Sequence, residues 1–126
     1  MSMTPMDLVA EAKSQIIEID PAAAWAAMAT AHVLDVRETS EYEAGRLPGA
    51  VNIPRGVLEF RIGEHPQLAQ RDSDILICCK TSGRAALAAL SLKRMGYTRV
   101  RSIHGGFEAW SQQGLPVERE TTQFGD

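Results

Sequence analysis

Short β-branched runs alternate with helical patterns along nearly the whole chain, and that alternation limits the fold more than any other feature. Ile16-Ile17-Glu18-Ile19 reads as a strand. Asp20-Pro21 then supplies an N-cap and a first-turn proline for a helix over residues 21–30, with Ala22, Trp25 and Met28 or Ala29 on one face. Trp25 is expected in the core, where buried aromatics supply packing area. His32-Val33-Leu34-Asp35-Val36 is a second strand; Ser40 and Glu43 follow at capping-box spacing for a short helix at 41–44, closed by Gly45. A brief third strand is expected near 50–52, and Leu58, Phe60, Ile62 and Leu68 are candidate anchors in an irregular, partly helical stretch over 55–70.

Ile75-Leu76-Ile77-Cys78 is the fourth strand, and its lack of polar alternation predicts cover on both faces. A helix over 83–95 follows at once, with Ala86, Leu87, Leu90 and the stem of Arg94 on one side, Lys93 and Arg94 in the last turn and Gly96 as the stop. Val100–Ile103 is the fifth strand. It leads through His104-Gly105-Gly106 into a helix carrying Phe107 and Trp110, ended by Gly114 and Pro116. Strands that each give way to a helix specify an α/β fold with a mainly parallel sheet and helices on both faces.

Ahead of this core, Thr4 and Pro5 start a leading helix over residues 4–14, so residues 1–14 form an N-terminal helical extension, 15–118 the domain and 119–126 a polar tail, with fraying expected from Glu118. A chain of 126 residues with 44% apolar and 23% charged residues fits one ordinary globular domain. The net charge of −3 gives no basic excess to recruit nucleic acid or an acidic membrane surface. No apolar run approaches the roughly 18 residues of a membrane span. The N-terminus lacks an export pattern, and adjacent Cys78 and Cys79 cannot staple distant segments; free thiols suit a cytoplasmic location. No phosphate-loop, dinucleotide, haem or metal-ligand spacing stands out, so neither cofactor nor metal is expected.

The chemistry concentrates at the turn between the fourth strand and its helix. In parallel sheets ligands gather at the carboxyl ends of strands, where Asp35, Arg37, Cys79 and His104 all fall. Cys78 lies within the strand and reads as a small core residue. Cys79 sits at the helix start with Lys80 and Arg84 close in sequence, which predicts a depressed thiol pKa and a thiolate nucleophile. His32, His65 and His104 are scattered, and a polar turn role suits His104, so no general base accompanies the thiol. Acyl transfer needs such a base. Sulfur transfer does not, because a sulfite-like leaving group departs as a stable anion.

The loop Cys79-Lys80-Thr81-Ser82-Gly83-Arg84 resembles the active-site loop of the rhodanese family, and its setting agrees. Val33-Leu34-Asp35-Val36-Arg37, Glu41-Tyr42, Gly45-Arg46-Leu47-Pro48-Gly49-Ala50-Val51-Asn52-Ile53-Pro54, Gly96-Tyr97 and Gly105-Gly106-Phe107-Glu108-Ala109-Trp110 follow in the family's order, over roughly residues 16–117. The resemblance, closest to single-domain thiosulfate sulfurtransferases, implies a mainly parallel five-stranded sheet flanked by helices. It also implies a Cys79 persulfide that carries sulfane sulfur from thiosulfate or a persulfide donor to cyanide, a thiol or a sulfur-acceptor protein. Backbone amides of residues 80–84 would cradle the sulfur; Lys80, Thr81, Ser82, Gly83 and Arg84 would bind the donor, with Asp35 and Arg37 as supporting structure. Two positions depart from the family pattern: Ser82 stands where glycine is common and Arg46 where histidine is common. Serine can still donate and cap the helix, and Arg46 adds a cation near the site entrance.

Two other classes compete. A related phosphatase or arsenate reductase cradle has five residues between cysteine and arginine, whereas here there are four. A non-enzymatic binding or redox-sensing module would not need both Cys79 and Arg84.

Overall fold

In the computed structural model, which describes residues 2–119, the alternating runs form one five-stranded sheet in the order β1-β5-β4-β2-β3. The strands are β1 (Ile17–Ile19), β2 (His32–Asp35), β3 (Val51–Asn52), β4 (Ile75–Cys78) and β5 (Val100–Ile103), and every pairing is parallel. The helices are α1 (Pro5–Lys13), α2 (Pro21–Ala27), α3 (Thr39–Ala44), α4 (Leu58–Arg61), α5 (Gly83–Arg94) and α6 (Gly106–Gln112). Among the described residues no helix is long and apolar enough to cross a membrane.

The central strand explains the unbroken apolar run. All four residues of β4 are buried, and successive side chains leave on opposite faces. Ile75, Ile77 and then Cys79 enter a core with Leu34, Leu58 and Leu92. Leu76 and Cys78 enter the other core, with Ala24, Ile103 and Trp110. The two neighbouring thiols are thus on opposite sides of the sheet.

α5 is buried on two flanks. Ala85, Ala88, Ala89 and Leu92 pack on the sheet, while Ala86 and Leu90 pack under Ala12 of α1. The expected stripe of Ala86, Leu87 and Leu90 is therefore the one that α1 covers. Alanines carry little hydrophobic signal, yet their small size lets the helix lie close to the sheet. Arg94 is exposed rather than laid along that stripe.

Several other expectations need correction. α2 buries Pro21 and Ala24, so Trp25, one position further round, is 44% exposed and meets Trp110 edge-on at 5.9 Å between ring centroids. Phe60 is 81% exposed; α4 is a single turn whose Leu58 faces the core together with Ile62, leaving Phe60 between them on the outer side. α3 starts earlier than expected, after Glu38, whose N–H donates to Glu41 Oε1 at 3.0 Å, so the Ser40 and Glu43 box does not form. Glu118 is tied rather than frayed, because its N–H and C=O exchange hydrogen bonds with Arg46 at 2.8 and 2.9 Å. Residues 120–126 of the expected tail lie outside the described residues.

Candidate active site

Cys79 follows the last residue of β4 and is 1% exposed. The Ala85 N–H donates to Sγ at 3.3 Å, and the amides of Thr81 and Arg84 also act on the sulfur. This set sits one residue further along than the expected 80–84 cradle, because the first turn of α5 supplies Ala85.

The loop takes this shape because its other side is held. The Phe107 N–H donates to the Cys79 carbonyl at 2.8 Å and the Glu108 N–H to the Lys80 carbonyl at 3.0 Å, so the first turn of α6 grips the start of the loop. In a planar trans peptide the C=O of one residue and the N–H of the next point in opposite directions. With the Lys80 carbonyl drawn out to α6, the Thr81 N–H is turned inward to the sulfur. This approach needs glycine. Gly106 has φ +59°, and a Cβ there would overlap the carbonyl oxygens of Cys79 and Thr81. Gly105, at φ +78°, would place a Cβ 2.5 Å from Ala109 Cβ.

Electrostatics correct the expectation for the thiol. Burial pushes the Cys79 thiol above its ordinary pKa and outweighs the opposing effects of the Ala85 amide, the Arg84 charge and the Thr81 and Arg84 amides. Among the described residues neither nearby cation hydrogen-bonds to the sulfur, although the Arg84 charge acts on it. Lys80 is exposed. Arg84 pairs with both Glu41 oxygens, at 2.8 and 3.0 Å. That fork lowers the Glu41 pKa to about 2 and raises that of Arg84.

Cys78 is further from ionising. Burial, then the negative charge of Asp35, pushes its thiol well above the ordinary value. Asp35 and Arg37 are themselves 1% and 4% exposed. Their carboxylate and guanidinium pair at 2.8–3.1 Å. Arg37 also donates to the Gly45 carbonyl at 2.6 Å and lies 4.5 Å over the Phe107 ring. Burial works against the Arg37 charge, yet Asp35 raises its pKa overall. The pair thereby ties the end of β2 to the start of α6, behind the loop.

The remaining loop residues divide. Thr81 is exposed. Ser82 precedes α5 without capping it; its Oγ instead accepts from Lys13 Nζ at 2.7 Å. Gly83 lies beside Val9 of α1. Arg46 stacks 4.7 Å over the Tyr42 ring and reaches Glu118 at 3.6 Å, so its charge has partners at this edge of the fold. His104 Nδ1 is 3.7 Å from Glu18 Oε1. Neither Glu41 nor Lys13 was expected to touch the loop: Glu41 stands in the Glu41-Tyr42 motif, but nothing local links it to Arg84 or links Lys13 to Ser82. A cleft of about 400 Å³ bordered by Ile17, Lys93, Tyr97 and Val100 lies at the amino ends of β1 and β5, away from Cys79, and is lined by neither cysteine.

Fold and site together define a parallel α/β protein that holds a single thiol, ringed by backbone amides, at the carboxyl end of its central strand. The rhodanese-like domain model matches residues 12–113, and the chain belongs to the rhodanese-like family. It is 33% identical over 85 residues to a sulfurtransferase of Allochromatium vinosum, covering 68% of this chain and 76% of that protein. To the thiosulfate sulfurtransferase GlpE of Actinobacillus succinogenes it is 32% identical over 103 residues, covering 80% and 89%. A structure from Rhodopseudomonas palustris, described as a protein of unknown function and possible tyrosine phosphatase, superposes with a TM-score of 0.83 at 32% identity, over 94% of this chain and 96% of that one.

Proposed function

We propose that the protein is a sulfurtransferase that carries sulfane sulfur on Cys79. The observation that supports this most directly is the Cys79 sulfur ringed by amides, with no side-chain base hydrogen-bonded to it among the described residues. Such a site stabilises a sulfur anion without shuttling a proton to a leaving group. In the first half-reaction Cys79 loses its proton to solvent, and the thiolate attacks the outer sulfur of thiosulfate or a related donor. The donor S–S bond breaks, sulfite leaves with the electron pair, and Cys79 is left as a persulfide. In the second, cyanide or an acceptor thiolate attacks the outer sulfur and expels the Cys79 thiolate. Amides of Thr81, Arg84 and Ala85 hold the charge on sulfur, while Lys80 and Arg84 favour the anionic donor; Asp35 and Arg37 keep the strand end in place. Covalent carriage gives ping-pong kinetics, and the reaction suits the reduced thiols of the cytoplasm.

Incubation with thiosulfate followed by intact mass measurement tests the reading. A cyanide-labile gain of about 32 Da, one sulfur atom, is expected on Cys79; no adduct overturns sulfur transfer and leaves a binding or redox-sensing module. The structural likeness to the possible tyrosine phosphatase favours a second reading, against which the four-residue spacing from Cys79 to Arg84 stands. Turnover of an aryl phosphate that is lost in Cys79→Ser would replace the first reading with the second. Steady-state rates across a panel of thiosulfate, persulfides and thiol acceptors identify the working pair.

A further inference from the structure

The N-terminal helix reaches the sulfur loop. α1 is a well-specified helix: Asp7 N–H donates to Thr4 Oγ1 at 3.1 Å, Thr4 N–H donates to Asp7 Oδ2 at 2.9 Å, and Pro5 opens the first turn. Ala12 is fully buried against Ala86 and Leu90 of α5. This packing sets Lys13, the last residue of α1, beside a loop 69 positions away, where its Nζ donates to Ser82 Oγ at 2.7 Å. Glu18 Oε2 is a second, longer partner at 3.7 Å.

The contact gives Ser82 a defined orientation. Its hydroxyl does not cap α5. Because Oγ accepts from the ammonium, the hydroxyl hydrogen is turned away from Lys13 and remains free to donate. An oxygen that accepts from a cation is also a stronger donor through its own hydrogen. The serine that departs from the family's usual glycine is therefore part of a two-residue device, its partner supplied by a helix most of which precedes the matched region.

We infer that Lys13 is a positioning residue of the sulfur site: it orients the Ser82 hydroxyl toward the anionic end of a bound sulfur donor. The inference rests on the sulfurtransferase reading of Cys79. It would make α1 a working part of the site rather than an appendage, and would place donor affinity partly under the control of the N-terminal segment.

A double-mutant cycle over Lys13→Met and Ser82→Ala tests it, with Lys13→Arg as the conservative variant and Glu18→Gln to remove the other partner of Lys13. With thiosulfate, Lys13→Met and Ser82→Ala are each expected to raise KM about five- to tenfold with kcat within about twofold, as loss of one charge-assisted hydrogen bond implies. The double variant should be no worse than the worse single one, Lys13→Arg should recover most of the loss, and Glu18→Gln should leave KM within about twofold. Additive losses, an unchanged KM in Lys13→Met, or losses that Lys13→Arg fails to recover overturn the inference. A second readout does not depend on sulfur transfer: the rate of Cys79 alkylation by anionic iodoacetate relative to neutral iodoacetamide should fall about threefold in Lys13→Met and in Ser82→Ala, without further fall in the double variant. A wild-type protein that forms no persulfide sinks the parent reading alone, and the alkylation ratios then decide whether Lys13 and Ser82 act together.

Discussion

Cys78 and Cys79 are joined by one peptide bond and live in different chemical surroundings. Both are buried, but Cys78 lies on the face shared with Trp110 and is confronted by the carboxylate of Asp35. Cys79 lies on the other face, where the amides of Ala85, Thr81 and Arg84 and the cation of Arg84 oppose the effect of burial. Burial alone therefore does not distinguish the two thiols. What differs is the balance: at Cys79 three amides and the Arg84 charge work against burial, whereas at Cys78 the Asp35 carboxylate adds to burial and together they outweigh the Arg37 charge and the Phe107 amide. A period of two along the strand is enough to exchange one environment for the other.

The comparison breaks most visibly if the wrong sulfur carries the chemistry. Cys79→Ala is expected to remove persulfide formation to background, a loss of at least about a thousandfold. Cys78→Ala should keep transfer within a few-fold and cost about 1 kcal/mol of stability, read as a fall of about 4 °C in the thermal midpoint. Equal losses of transfer from both variants would dissolve the distinction. Gly106→Ala attacks the cradle from behind, since its Cβ would overlap the carbonyl oxygens of Cys79 and Thr81. A loss of about a hundredfold in kcat/KM is expected, together with about 3 kcal/mol in denaturant unfolding. Near-normal transfer in a folded variant would mean that the grip of α6 does not set the amides.

Titration sharpens the contrast. Because burial raises the Cys79 pKa and only the thiolate reacts, alkylation should climb about tenfold per pH unit below that pKa, with peptide mapping placing the label on Cys79 before Cys78. The same shifts have a stability consequence. Thiols with raised folded pKa values stabilise the fold fully below the unfolded thiol pKa, and that contribution is lost as pH rises through the folded values. Glu41 has the opposite sign. Its pKa is lowered from 4.5 to about 2, so its contribution is present above 4.5 and lost as pH falls toward 2. Both members of the Glu41–Arg84 pair are about a third exposed, so solvent screening reduces that contribution to about 1 kcal/mol. Comparing acid unfolding of Glu41→Gln with the parent protein should show this difference at neutral pH and its disappearance near pH 2.

The fold was largely legible because its signals are local. N-caps such as Thr4 and Asp20, first-turn prolines and the bare apolar run of β4 act within a few residues of themselves, and the structure places elements where they point. Cys79 was legible for the same reason, as a thiol at a strand-to-helix boundary. The rest of the site depends on contacts across the chain: Glu41 meets Arg84 across 43 positions and Lys13 meets Ser82 across 69. No spacing rule reaches that far. The direction of the Cys79 pKa shift was missed because adjacent cations can be read from the sequence, whereas the depth of burial and the diversion of Arg84 to Glu41 cannot. Trp25 and Phe60 failed differently: on short helices one position of rotation decides between core and solvent, and apolar character alone does not fix it.

The grip of α6 on the loop carbonyls separates two tasks usually bound up in one stretch of chain. Phe107 and Glu108 hold the backbone of Cys79 and Lys80 through main-chain atoms alone, while the side chains of Lys80 and Thr81 stand in solvent. On the proposed sulfur-transfer reading, donor preference at those two positions is open to redesign on a constant frame: a library there would vary what approaches the sulfur without altering the amides around it.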